Sequence, residues 1–251
     1  MRALAFAGVA ILALLAAAIA FAPASLVDSR LSAMTNGQVR LAATEGTLWR
    51  GRGTVVMGDG VPPIPLAWQL DPWSLARGEA LVTLDAPADG VGPPRGRIAL
   101  SVGKANVERL EFTVPAAAIA ARLPVPGLQA GGVVEVIAED LAIAGAVERG
   151  KLHLQWRGAR LAADAQSAMD LGTVAATLSA RQGALVGPLT ARGGTIRIDG
   201  ETTLAPGGVR LAARLVPEPT ATAADRAALA LLGTPATDGS VSINVARNLR
   251  R

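Results

Sequence analysis

An uninterrupted apolar run limits the architecture of this chain more than any other sequence feature. Residues Ala3 to Ala22 contain no charged, hydroxyl or amide side chain. As a helix, this run would measure about 30 Å, the thickness of a bilayer's hydrocarbon core. Arg2 precedes the run and Pro23 ends it. We therefore predict that residues 1–23 form a transmembrane anchor and that residues 24–251 lie together on one side of a membrane.

A cleaved secretory signal peptide is the alternative interpretation of this run. Half of the run is alanine, and its small residues fit cleavage after Ala22 or Ala24. Pro23 should hinder a peptidase that needs an extended substrate, so we favour an uncleaved anchor. Because Arg2 is positive, the positive-inside rule predicts a cytoplasmic N-terminus with the bulk of the chain outside the cytoplasm.

The composition of the chain excludes several classes of site. There are no cysteines, so a disulfide, a zinc-thiolate site and a cysteine nucleophile are impossible. The net charge is +4 at pH 7, but the arginines are scattered without a basic run. A dispersed, solvated charge of this kind predicts no nucleic-acid partner.

Alternation of apolar and polar residues predicts that the chain after the anchor is mainly β. Strands with one buried face and one hydrated face show this pattern. It is clearest at residues 109–114, 151–157, 196–199, 209–215 and 241–245. We predict a curved, largely antiparallel sheet, either a groove or an open barrel, with one or two short helices.

Turn and helix signals divide this β-rich region. Asp-Gly pairs suited to tight turns occur at residues 59–60, 89–90, 199–200 and 238–239. Helices are predicted at Pro115 to Leu123, where proline suits a first turn, and at Thr222 to Leu232, where Gly233 follows. A Pro/Gly cluster suggests a lobe boundary near residues 123–131, but we favour one continuous sheet.

The inventory of catalytic residues is nearly empty. His153 is the only histidine and lies on the polar side of an alternating strand, as a surface residue would. Glu139-Asp140 could serve acid–base chemistry, but adjacent strand residues point to opposite faces, which favours a turn or strand end. Gly51-Arg52-Gly53 lacks the third glycine of a nucleotide loop. We predict no enzyme and assign no catalytic, cofactor-binding or metal-binding residue.

Three tryptophans, Trp49, Trp68 and Trp73, fall within a short stretch after the anchor. Buried tryptophans contribute large apolar contact areas, so we predict that they are core residues of a first hairpin. The alternative is a tryptophan belt at the membrane interface, since the cluster follows the anchor closely.

These elements resemble the type II secretion system protein N family. The shared pattern has an apolar segment ending near Pro23-Ala24-Ser25, followed by G-T-L-W-x-G and W-x-L-x-P-W-S-L. The two tryptophan motifs occur here at Gly46 to Gly51 and at Trp68 to Leu75. Less specific elements of the pattern occur at residues 123–128, 183–189 and 231–233. The resemblance implies a non-catalytic subunit of the bacterial inner membrane, with most of its chain in the periplasm. Its partners would be other inner-membrane subunits of the machine that exports folded periplasmic proteins.

A lipid-handling groove is the competing hypothesis. AsmA-like proteins also combine an N-terminal anchor with a curved β-sheet, whose apolar face would hold acyl chains. Small residues such as Ala99, Ala175, Ala176 and Ala213 could leave such a groove open. Lipid is therefore the alternative partner, and copurified lipid would distinguish the two hypotheses.

Overall fold

A single open antiparallel sheet of thirteen strands forms the body of the protein. It is seen in a computed structural model, which describes residues 22–34, 37, 39–57, 63–85, 92, 94–120, 129–162 and 168–248. The strands lie in the sheet in the order in which they occur in the chain, each paired with its neighbour in sequence.

The strands and helices have the following bounds. The strands are β1 Val39–Gly46, β2 Arg50–Met57, β3 Ile64–Asp71, β4 Ala80–Leu84, β5 Arg95–Ser101, β6 Lys104–Pro115, β7 Gln129–Ala144, β8 Ala146–Ala162, β9 Met169–Arg181, β10 Ala184–Arg192, β11 Ile196–Ala205, β12 Gly208–Pro217 and β13 Val241–Asn248. The described helices are α1 Ser25–Met34, α2 Pro72–Leu75, α3 Ala116–Ala120 and α4 Ala223–Leu232.

The prediction of a mainly β, antiparallel and continuous sheet is confirmed. Strands β6 and β7, on either side of the Pro/Gly cluster, pair directly from Ala105 with Ile143 to Pro115 with Val133. The sheet is bent locally at β10, whereas the predicted overall curvature into a groove or open barrel stays a prediction. Residues of β9 and β11 approach within 8 Å although β10 lies between them, whereas a flat sheet would hold them roughly 10 Å apart. A lobe boundary near residues 123–131 stays a prediction.

The alternating runs place one apolar face along the whole sheet. On β8, Leu152, Leu154 and Trp156 lie opposite the apolar residues of β7 and β9. The same face continues to Trp68 on β3 and to Leu215 on β12 through the strand register. A continuous apolar face explains how a sheet without disulfides is stabilised, since its burial is the main favourable term in folding.

Three clusters of buried residues form the core on this face. One lies at the N-terminal end of the sheet around Leu41 and Trp68. A central cluster surrounds Leu178, and a C-terminal cluster includes Ile196 and Leu229, the latter from α4. The two longer helices thus pack near the two edge strands of the sheet, α1 against β1 and α4 against β12 and β13.

Several local predictions need correction. The described part of the chain has four helices instead of one or two, because α1 and α2 were not predicted. Residues 199–200 lie inside β11 and not in a turn, since Gly200 faces Ala213 of β12. Gly239 does lie in a turn, with φ +75°, and the α4 prediction is confirmed. Residues 59–60 and 89–90 lie outside the described residues.

The transmembrane anchor is not tested by the structure. Among the described residues, no helix is long and apolar enough to cross a membrane. Of the predicted anchor, residues 1–23, only residues 22 and 23 are described. The anchor therefore stays a prediction.

Candidate functional site

The polar face of the sheet carries cross-strand ion pairs. Arg97 Nη1 on β5 lies 2.9 Å from Glu108 Oε2 on β6, and Arg157 of β8 contacts Glu135 of β7. Similar pairs join Arg52 to Glu45, Arg109 to Glu139 and Arg214 to Asp238. Exposed pairs contribute little to stability, about 0–1 kcal/mol each. Positive and negative side chains therefore alternate on this face, and these pairs do not form a patch of one sign. A partner could recognise such a pattern of charge.

His153 lies on this polar face, as the sequence predicted. Its Nδ1 is 3.3 Å from Thr177 Oγ1, and its Nε2 is 3.9 Å from Glu139 Oε2. Both neighbours are on adjacent strands of a half-exposed surface. The Thr177 hydroxyl therefore contacts His153, and His153 in turn approaches the Glu139 carboxylate. However, the three groups lie on three adjacent strands and are open to solvent, with His153 and Glu139 side chains 40% and 41% exposed.

Glu139 and Asp140 lie at a β-bulge inside β7. The prediction of a turn or strand end is therefore wrong. The register shifts between Glu139 and Ala142, and Asp140 adopts φ +49° to accommodate the extra residue. Glu139 lies 3.8 Å from Arg109, whereas Asp140 is exposed in a shallow depression that Arg97, Glu108 and Arg149 also line.

Gly51-Arg52-Gly53 is part of β2, where its glycines make room for neighbouring core residues. A Cβ on Gly51 would lie 2.4 Å from Cζ2 of Trp68, so the indole packs directly on the glycine backbone. Trp68 is buried, and its Nε1 donates to the carbonyl of Leu48 at 3.1 Å. The core prediction is confirmed for Trp68.

Trp73 contradicts the core prediction. It lies in α2, where 77% of its surface is exposed, and Leu75 in the same helix is 41% exposed. Asp71 caps this turn by accepting from the backbone N–H of Trp73. β3 ends at Asp71 and α2 begins at Pro72, so Trp73 lies outside the sheet. A continued strand would also have placed it on the face opposite to Trp68, because the two are an odd number of residues apart.

The two edges of the sheet differ in accessibility. The outer edge of β1 is covered by the residues before it: Ala24 N donates to Gly46 O at 3.3 Å, and Leu41 N donates to Asp28 Oδ1 at 2.7 Å. In the part of the chain that the structure describes, no strand pairs with the outer edge of β13. Shallow depressions lined partly by Arg210 and Ala246 lie beside it.

Sites for metals are not apparent among the described residues, since no three His, Cys, Asp or Glu side chains lie close enough to share an ion. Among the described residues, the pKa of Asp238 departs clearly from its ordinary value. The side-chain hydroxyl and backbone N–H of Ser240 lower the pKa of Asp238, and Arg214 adds to this effect. These contacts hold the turn before β13 and do not form a reactive centre.

Comparison with known proteins identifies the family. The family model of type II secretion system protein N matches residues 37–244, from just before β1 into β13. No curated protein and no solved structure matches the chain. The match contains both tryptophan elements, at Gly46 to Gly51 and at Trp68 to Leu75, and so confirms the resemblance drawn from them. The chain belongs to the type II secretion system protein N family, and this membership implies a component of the type II secretion machinery.

Proposed function

We propose that this protein is a non-catalytic inner-membrane subunit of the type II secretion system. Residues 1–23 anchor it, and residues 24–251 lie in the periplasm and contact other inner-membrane subunits. In this way it supports the export of folded periplasmic proteins across the outer membrane. The observation that carries the proposal is the family match over residues 37–244, which covers nearly all of the sheet.

The free edge of β13 is the surface we assign to protein contacts. An unpaired strand edge presents backbone N–H and C=O groups to which another chain can add a strand. The opposite edge is unsuitable because the segment before β1 covers it. Ser242 and Asn244 on β13 are exposed, so side chains of a partner strand could reach them.

Site-specific crosslinking in cells tests this contact. A photoreactive residue replacing Asn244 should trap other secretion subunits in the intact machine. Val56 on β2 is the matched control, since it is 38% exposed on the same polar face but distant from β13 in strand order. Equal trapping from both positions, or only uncrosslinked monomer from position 244, would contradict the assignment.

The non-catalytic role has its own test. The double variant Glu139→Gln with His153→Ala removes a carboxylate and an imidazole that lie 3.9 Å apart on the polar face. The imidazole is also the group that contacts the Thr177 hydroxyl. We expect secretion of an exported protein at the wild-type level, because neither group lies in an enclosed site. A loss of tenfold or more in a correctly folded variant would contradict this view.

Membrane placement is tested separately. Resistance to carbonate extraction and an intact N-terminus in the mature protein are expected for an uncleaved anchor. A mature chain beginning after Ala22 or Ala24 would instead show that residues 1–23 are a signal peptide.

Lipid binding is the second candidate function, favoured by incomplete cover of the apolar face. Leu100 on β5 and Val245 on β13 face this side of the sheet and are 45% and 52% exposed. Native mass spectrometry of the chain released from membranes would detect bound phospholipid. A lipid-free chain would remove this candidate.

A further inference from the structure

The residues that follow the apolar run are tied to one end of the sheet. The backbone N–H of Leu48 donates to the carbonyl of Ala22 at 2.7 Å, and Pro23 forms a bridge with Thr47. Residues 47–49 are the turn between β1 and β2. The last residue of the apolar run is therefore fixed at this turn, with no linker to separate it from the sheet.

The same end of the sheet displays exposed apolar side chains on its next two turns. We call it the anchor end: residues 22–23, the β1–β2 turn at residues 47–49, the β3–β4 connection at residues 72–79 and the β5–β6 turn at residues 102–103. Trp73 and Leu75 lie on the β3–β4 connection, and Val102, at 99% exposed, forms the tip of the β5–β6 turn. Strand pairing puts all three turns at one end, since Arg50 pairs with Gln69 and Ala80 with Leu100.

The exposure of Trp73 is held in place by buried polar contacts. Ser74, the next residue, is fully buried. Its hydroxyl donates to Asp71 O at 2.7 Å and accepts from Leu81 N at 2.9 Å. Because Ser74 is fixed between β3 and β4, the neighbouring Trp73 is directed outward and cannot exchange places with it.

We propose that the anchor end lies in the headgroup region of a phospholipid bilayer, with Trp73, Leu75 and Val102 inserted at the interface. This inference rests on the membrane anchoring proposed above. Adjacent strands are about 4.8 Å apart, so the β3–β4 and β5–β6 turns lie roughly 10 and 20 Å from the β1–β2 turn. A bilayer that receives the apolar run at Ala22 would meet those turns as well.

The chemistry of the anchor end agrees with a lipid surface. Tryptophan is enriched at membrane interfaces, where its ring is buried and its N–H remains hydrated. Arg77 and Lys104 flank the apolar tips and are exposed. Long cationic side chains of this kind extend toward headgroup phosphates while their stems cover apolar surface. The sheet would then stand on the membrane and project its other end into the periplasm.

Depth-sensitive labelling of the full chain tests this orientation. The chain has no cysteine, so a single introduced cysteine can be labelled uniquely. Val102→Cys is placed at the anchor end, and Thr220→Cys, an exposed residue in the connection after β12, is the control at the opposite end. Each variant is labelled with an environment-sensitive fluorophore and reconstituted in vesicles of phosphatidylethanolamine and phosphatidylglycerol that contain a lipid-borne quencher.

The expected result is at least threefold stronger quenching by the lipid quencher at position 102 than at position 220. In addition, quenching of tryptophan emission by brominated lipid should fall in Trp73→Phe, which removes an exposed indole. Equal, weak quenching at both positions in a chain that resists carbonate extraction would overturn this inference and leave the anchor intact. Release of the chain by carbonate would overturn the anchor and this inference together. Protection of position 102 in the assembled secretion machine but not in vesicles would assign the anchor end to a protein partner, against the lipid surface proposed.

Discussion

The contact between Gly51 and Trp68 leads to the sharpest stability prediction. A methyl group added at Gly51 would lie 2.4 Å from Cζ2 and 2.9 Å from Cε2 of the indole. The ring cannot retreat easily, because it is buried and its Nε1 donates to the carbonyl of Leu48. Gly51→Ala therefore forces Trp68 out of its position or strains β2 and β3.

The magnitude follows from two opposing effects. Overpacking a core typically costs about 1–3 kcal/mol, and replacing glycine by alanine in an accessible conformation recovers about 0.4–1 kcal/mol through the unfolded chain. We expect Gly51→Ala to lower the free energy of unfolding by about 1–2 kcal/mol. Combining it with Trp68→Phe should relieve much of that loss, since the smaller ring no longer reaches the methyl group.

The assay is urea unfolding of the detergent-solubilised chain followed by far-ultraviolet circular dichroism. Gly131→Ala is the matched control: it is also a strand glycine, but the nearest neighbour of its added Cβ is Arg160 Cβ at 3.5 Å, an ordinary contact. We expect the control to lie within about 0.5 kcal/mol of the wild type. Equal effects of the two alanines, or additivity of Gly51→Ala with Trp68→Phe, would refute the reasoning.

Three further variants test contacts elsewhere in the sheet. Ser74→Ala should lower the free energy of unfolding by about 1–3 kcal/mol, because the N–H of Leu81 loses its acceptor; urea unfolding measures this. Thr222→Ala removes the capping box of α4 and should cost about 1 kcal/mol, detected as a lower midpoint of thermal unfolding. Asp238 has a pKa below its ordinary 3.8 in the folded chain, so it stabilises the fold above that pH and loses this effect as pH falls through the folded-state pKa. Asp238→Asn should therefore destabilise the chain at pH 6, and the difference from the wild type should shrink toward pH 2, which unfolding at a series of pH values would show.

The strand pattern was predictable because each face of a strand follows a period of two. Leu110, Phe112 and Val114 share the apolar face of β6, as their alternation indicated. Asp199-Gly200 misled the prediction because glycine has a second use in sheets. A Cβ at Gly200 would lie 2.6 Å from the carbonyl of Ala212, so this glycine permits close approach between strands and not a turn.

The candidate surfaces were harder to predict, because they depend on which strands become neighbours. The odd spacing of Trp68 and Trp73 would put them on opposite faces of a continuous strand, but it does not show that the strand ends between them. The strand boundary decides their environments, since β3 ends at Asp71 and Trp73 lies in α2. Likewise, only the order of the strands shows that the segment before β1 covers one edge and that the edge of β13 is left open in the described chain.

The strand order separates the two proposed contacts of the protein. The anchor end involves β1 to β6, and the open edge belongs to β13, twelve strand positions away from β1. At about 4.8 Å per strand, the sheet spans at most about 60 Å between them, and less where it bends. The core clusters around Trp68 and Leu229 share no residue, so stability at one end depends mainly on neighbouring strands, as in repeat proteins. Under the two proposals the sheet acts as a spacer, in which damage near Trp68 would alter the proposed contact with the membrane while the proposed contact surface at β13 stays folded.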